Sequence, residues 1–163
     1  MQAKSIKGNS TEEISSALNE SMEDGFKPTL AIVFISVKQD IEAISGLLDE
    51  KGVQLFGATT AGEFIDGEME EGSIVMLLLD MNPAYFRIEF LETSQDSAYE
   101  DAKKLGITGK ENFTQPAFII ANSGVALDGE PFVEGIIEGF NISNTSANQE
   151  VTIFGGKAAD DLV

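Results

Sequence analysis

Along the chain, short apolar runs alternate with amphipathic stretches. Ser10-Thr11-Glu12-Glu13 has the form of a capping box, and Ile14, Ala17, Leu18 and Met22 follow at helical spacing. Gly25 and Pro28 close that helix. Residues 29–36, TLAIVFIS, are apolar almost throughout, as in a strand covered on both faces. Asp40 opens a second helix with Ile41, Ile44, Leu47 and Leu48 inward, and Gly52 ends it. Residues 53–59 form the next strand. A strand–helix–strand unit of this kind predicts parallel strands with a right-handed crossover. Residues 73–80 are a third, very apolar strand, and Asn82-Pro83 makes a turn. Residues 85–91 alternate, with Phe86, Ile88 and Phe90 on one face and Arg87 and Glu89 on the other. The pattern predicts an antiparallel hairpin with 73–80. Ser94 is the expected cap of a helix that runs to Leu105 and stops at Gly106. A fifth strand over 116–121, a helix over 130–140 and a sixth strand over 151–154 complete the reading. Gly135 and Gly139 are unfavourable inside that helix.

The two halves echo each other. KPTLAIVF at 27–34 parallels QPAFIIAN at 115–122, and QLFGATTAGEF at 54–64 parallels TIFGGKAADDL at 152–162. Apolar strands resemble one another by chance, but here the glycine-led turn chemistry repeats as well. The expected fold is α/β: a mixed β-sheet with flanking helices, built from two βαβ pseudo-repeats plus a β-hairpin. An α-β-β-α layered sandwich is the alternative, because strand order is not readable. The second half has no counterpart of the hairpin. The 163 residues are therefore expected to be the amino-terminal part of a longer chain. An uncovered sheet edge would favour self-association.

Composition narrows the function. The net charge is −18 and the pI about 4.1. Nucleic acid and anionic membrane surfaces are unsuitable partners, since both need clustered Lys and Arg. With 0 Cys and 0 His, disulfides, thiolate chemistry, ordinary zinc sites and Cys–His or Ser–His pairs are excluded. No cofactor is implied. The start, MQAKSIKGNSTEE, lacks the apolar core of a signal peptide, and every apolar run is far shorter than the roughly 20 residues of a membrane span. The expected location is the cytoplasm.

The strand LFGATTAGEF, the acidic Gly-rich stretch after it, SIVMLLLD, and later IFGGKAADD together resemble the amino-terminal part of a FIST domain. That family comprises bacterial sensory modules, also found in F-box proteins. The resemblance covers roughly residues 28–163. It implies a non-catalytic signal-input domain that binds small polar ligands such as amino acids. It also implies a downstream signalling module or protein as partner. In the family a second, carboxyl-terminal portion usually follows.

In open α/β sheets, ligands bind beyond the carboxyl ends of parallel strands. The turns expected there span 36–40, 57–63, 122–130 and 155–161. Gly57, Gly62, Gly155 and Gly156 would let backbone N–H groups approach a ligand. Thr59, Thr60, Asn122 and Ser123 can donate and accept. Asp160 and Asp161 offer acids for an ammonium group, Lys157, or Arg87 from elsewhere, a cation for a carboxylate, and Glu63 is the acid of the first turn. Ordinary turn chemistry is the competing explanation, because Gly, Thr and Asp dominate turns in any case. The 57–63 and 155–161 turns are expected to lie side by side.

Enzyme readings fare less well. GATTAGEF and FGGKAADD lack the phosphate-loop spacing and the dinucleotide fingerprint. A threonine nucleophile needs a free amino terminus, and Thr59 and Thr60 are internal. Asp128, Glu130, Asp160 and Asp161 lack EF-hand spacing, so weak surface metal binding is all they promise. An Asp/Glu-dependent hydrolase or lyase and a structural or oligomerisation module remain the alternatives.

Overall fold

The computed structural model describes residues 1–65, 67–122, 128–142 and 150–159. The chain divides into two compact units, Met1–Arg87 with Ala159–Val163, and Ile88–Ala158.

The first unit runs β1 (Gln2–Gly8), α1 (Thr11–Ser21), β2 (Leu30–Ile35), α2 (Ile41–Glu50), β3 (Gln54–Thr59), β4 (Glu63–Ile65), β5 (Glu68–Glu70) and β6 (Ile74–Asp80). Both helices start where their caps allow. The Ser10 hydroxyl accepts from the Glu13 N–H (3.3 Å), and Asp40 accepts from the Ala43 N–H (2.9 Å). Glu13 reaches back to the Asn9 N–H at 2.7 Å, one residue before the cap. A four-stranded sheet forms in the order β1-β6-β2-β3. The β2–β3 pair is parallel, and β6 is antiparallel to both β1 and β2.

Alternation along the strands then sets the core. Ala31, Val33 and Ile35 of β2 pair directly with Leu78, Met76 and Ile74 of β6. This face meets Ile14 and Leu18 of α1 and Ile44 and Leu48 of α2 in a single buried cluster. The opposite face is apolar too, with Leu30, Val75 and Leu79 buried but Phe34 43% exposed. β4 and β5 form a small antiparallel hairpin of their own.

The hairpin expected between 73–80 and 85–91 does not form. β6 is flanked on both sides, by β2 and by β1, whose seven residues pair with it from Gln2 to Gly8. After β6, Asn82 accepts from the Ala84 N–H and caps a short 3-10 turn, Pro83–Tyr85. Residues 85–91 enter no strand ladder among the described residues. The expectation of an equivalent hairpin after the second half thereby loses its premise.

The second unit runs α3 (Ala98–Asn112), β7 (Ala117–Asn122), α4 (Gly129–Asn141) and β8 (Thr152–Lys157). β7 and β8 are parallel, joined through α4. α3 begins after Ser97, not Ser94, with no side-chain cap bond, and neither Gly106 nor Gly109 stops it. The reason is the packing of α3 on α4. A methyl at Gly106 would lie 2.3 Å from the Ile136 carbonyl oxygen, and one at Gly139 2.0 Å from that of Lys103. Small residues at four-residue spacing, Ala98, Ala102 and Gly106 against Gly135 and Gly139, let the two backbones approach. The core is correspondingly small: Ala98, Ala102, Phe132 and Ile136, backed by Phe118, Ile120, Val151 and Ile153. Among the described residues no helix is long and apolar enough to cross a membrane.

Candidate functional site

The sequence-derived site residues divide between the two units. Gly57, Thr59, Thr60, Gly62 and Glu63 belong to the first. Asn122, Gly155, Gly156 and Lys157 belong to the second. Ser123, Asp160 and Asp161 lie outside the described residues.

In the first unit, Gly57 sits opposite Val33 in the parallel ladder, and a methyl there would meet the Val33 carbonyl oxygen at 2.2 Å. Its glycine is thus required by strand approach. The Thr60 N–H continues the ladder to the Ile35 carbonyl (3.0 Å), and the Thr59 carbonyl accepts from the Ala159 N–H (3.0 Å). Glu63 is only 1% exposed. The Thr60 hydroxyl donates to its Oε1 at 2.7 Å, and the Ser73 N–H and hydroxyl donate to its Oε2 at 2.9 and 3.0 Å. Three donors satisfy a buried acid with no cation in that set. The bonds tie the turn after β3 to the start of β6. Ser73 as the partner of Glu63 has no signature in the sequence, because the pairing depends on the β4–β5 hairpin returning the chain. Gly62 has space around it, the nearest atom to an added methyl being the Glu70 carbonyl oxygen at 3.9 Å.

In the second unit, a cleft of about 530 Å³ runs along β8 from Ile153 to Lys157, against Ile120 and Asn122 of β7 and the start of α4. Asn122, Gly155, Gly156 and Lys157 line it, together with Gly129, Glu130 and Glu134 of α4. The apolar lining is Ile120, Phe132, Val133, Ile153 and Phe154. Asp128 caps α4 by accepting from the Glu130 N–H (3.3 Å), and its own N–H donates to Gln95 Oε1 (2.7 Å). Asn122 pairs with Lys157 in register, and its carbonyl accepts from the Ala158 N–H at 2.7 Å.

The two adjacent glycines differ. Gly155 has φ +140 and an added methyl would lie 1.9 Å from the Ile120 carbonyl oxygen, so it is fixed by packing. A methyl at Gly156 would meet nothing within 4 Å. Sequence reasoning missed the apolar lining and Glu134. For Val133 the signal was a second, part-exposed apolar stripe on α4, which it shares with Ile137; Glu134 had none. Of the acids weighed for metal binding, Asp128 and Glu130 are described, and no group of three or more His, Cys, Asp or Glu among the described residues could hold a metal ion.

Titration behaviour is perturbed away from the cleft. The Lys104 ammonium, and then the Ser97 and Thr93 hydroxyls, hold Asp101 at about 2. Hydrogen bonds from Lys103 and then Tyr99 lower Glu138, joining α3 to α4.

Parallel strand pairs with their crossover helices define a mixed α/β fold. The model of the FIST N domain matches residues 29–163, and the chain belongs to this family of sensory signal-transduction domains. No curated protein and no solved structure matches the chain.

Proposed function

We propose that the chain is a signal-input domain that binds a small polar molecule with the charge pattern of an amino acid, without transforming it. The observation that supports this reading is the make-up of the cleft along β8 and the start of α4. It combines one ammonium (Lys157), one side-chain amide (Asn122) and two carboxylates (Glu130 and Glu134) with an apolar lining. A zwitterion needs both signs of charge, whereas a phosphate would face two acids. Ser123, which follows Asn122 in the chain, and Asp160 and Asp161 stay candidate ligand-binding residues by their chemistry alone. For the 57–63 turn, the bonds from Thr60 and Ser73 to Glu63 support a role in holding the turn's shape. Signalling would follow from differential affinity of the ligand for two arrangements of the cleft.

Thermal-shift screening against amino acids and small carboxylates tests this. A ligand at 100 times its Kd stabilises by about 2.7 kcal/mol. Gly156→Ala is the diagnostic variant. Its methyl enters open space, so stability should stay within about 0.5 kcal/mol while the ligand shift shrinks. The reading fails if no such compound shifts the melting temperature. Turnover of a bound compound would move the protein to the hydrolase or lyase class.

A further inference from the structure

We infer that residues 86–90 are a pairing strand for a second copy of the chain, joined antiparallel about Ile88. The segment reads Phe-Arg-Ile-Glu-Phe. Turned antiparallel on itself, it sets Phe86 against Phe90, Arg87 against Glu89, and Ile88 against Ile88. Every apolar position meets an apolar one and every charge meets its opposite. These are the cross-strand pairs that stabilise sheets, and the register is the self-complementary one that a two-fold interface demands.

In the structure this segment has Phe86 and Ile88 half-buried, and Arg87, Glu89 and Phe90 exposed. Its alternation has the period of a strand, and Phe86 is extended at φ −142 and ψ 160. Yet no ladder among the described residues includes it, and Phe90 is 88% exposed. The neighbouring strand in sequence, β6, has both edges occupied by β1 and β2. A segment with strand-like alternation outside every ladder among the described residues is a template for another chain. Arg87 and Glu89 already take part in interactions within the chain, so pairing exchanges their partners. The inference rests on the alternation and the symmetry of the segment, and it is independent of the cleft.

A charge of −18 on each copy opposes association, but repulsion between exposed charges is screened beyond about 8 Å at physiological salt. An isolated two-stranded contact is marginal in water, so the pairing is weak and best trapped covalently. The chain has 0 cysteines, which makes Ile88→Cys a clean probe. Facing residues of an antiparallel pair lie about 4.5–5.5 Å apart at Cα, within reach of a disulfide.

Under mild oxidation at physiological salt, Ile88→Cys should form disulfide dimers at least about tenfold faster than Glu71→Cys, an exposed control, with circular dichroism confirming that both fold. In the Ile88→Cys background, Arg87→Glu should slow cross-linking, and so should Glu89→Arg. The combined exchange should restore it, because the swapped pair is complementary again. Non-specific electrostatics gives a different pattern, since Glu89→Arg makes the chain less acidic and would speed association. The inference is overturned if Ile88→Cys links no faster than the control. It is equally overturned if Glu89→Arg accelerates linking, or if the double exchange stays as slow as the single changes.

Discussion

The two units cover one face of a parallel strand pair by different means. In the first, β2 lies between β3 and β6, and branched or long side chains fill the space to α1 and α2: Ile14, Leu18, Ile44 and Leu48 against Val33, Ile35 and Met76. In the second, β7 and β8 form a two-stranded sheet, and the helices meet through Gly106, Gly135 and Gly139. The first unit stabilises itself by removing apolar area from water, the second in larger part by backbone proximity. The strand ladders nevertheless share one device. Gly57 against Val33 and Gly155 against Ile120 each stand where a methyl would strike the opposing carbonyl, at 2.2 and 1.9 Å. The repeated Phe-Gly of the two halves has this steric cause. The echo is one residue out of step, however. Aligning Pro28 with Pro116 would set Ala121 against Gly155, and the ladder sets Ile120 there.

The largest effect is expected in the first core. Leu18 is fully buried between α1 and the sheet, so Leu18→Ala should cost about 2–5 kcal/mol in urea denaturation. Amide protection in β2 and β6 should fall with it. A loss below about 1 kcal/mol would mean that the first unit does not depend on side-chain burial as described.

Next comes a pair of identical substitutions with opposite expected signs. A plain helix gains up to about 1 kcal/mol when an interior Gly becomes Ala. Gly46→Ala in α2 should show that gain, because nothing lies within 4 Å of the new methyl. Gly139→Ala in α4 should instead lose about 1–3 kcal/mol, since the helices must part to admit it. Gains at both positions would erase the contrast between the units.

These glycines also show why part of the fold was hidden in the sequence. The run LAIVFI and the caps Ser10 and Asp40 announced β2, α1 and α2, because their causes are local. Gly106 looked like a helix stop, and only the tertiary approach of α4 explains why α3 continues. β1 was missed because Ile6 is its one large apolar residue, and its place beside β6 displaced the hairpin that the alternation of 85–91 announced. The strand-end rule pointed to Asn122 and to residues 155–157, which line the cleft, but apolar lining residues look like core in any sequence. Glu63 was read as a ligand-facing acid. Its burial against Ser73, ten positions on, depends on a hairpin too short to read.

Glu63 supplies a smaller test of what each unit does with a polar group. In Glu63→Gln the charged bonds become neutral ones, and the amide N–H₂ is satisfied only if the Thr60 hydroxyl turns to accept from it, because the Ser73 N–H can only donate. The expected cost is about 1–3 kcal/mol. A variant as stable as the parent would mean that the turn after β3 is held by its backbone alone.

The smallest effect lies at the start of α3 and is read through pH. Asp101 is the second unit's counterpart of Glu12 in α1, an acid in the first helical turn, where the helix dipole favours it. Glu12 is lowered by its own backbone N–H and then by Ser10, whereas Asp101 has Lys104, Ser97 and Thr93 and falls from 3.8 to about 2. A depressed carboxylate contributes stability that is fully present above its unfolded value and is lost as pH falls through the folded one. Asp101→Asn should therefore lower the melting temperature slightly at neutral pH. The gap from the parent should hold down to about pH 4, narrow below 3.8 and close below about 2. A gap that persists unchanged at the lowest pH would show that Asp101 acts through the shape of its hydrogen bonds, with its charge immaterial. A gap that closes near 3.8 would show that Lys104 does not hold the carboxylate in solution.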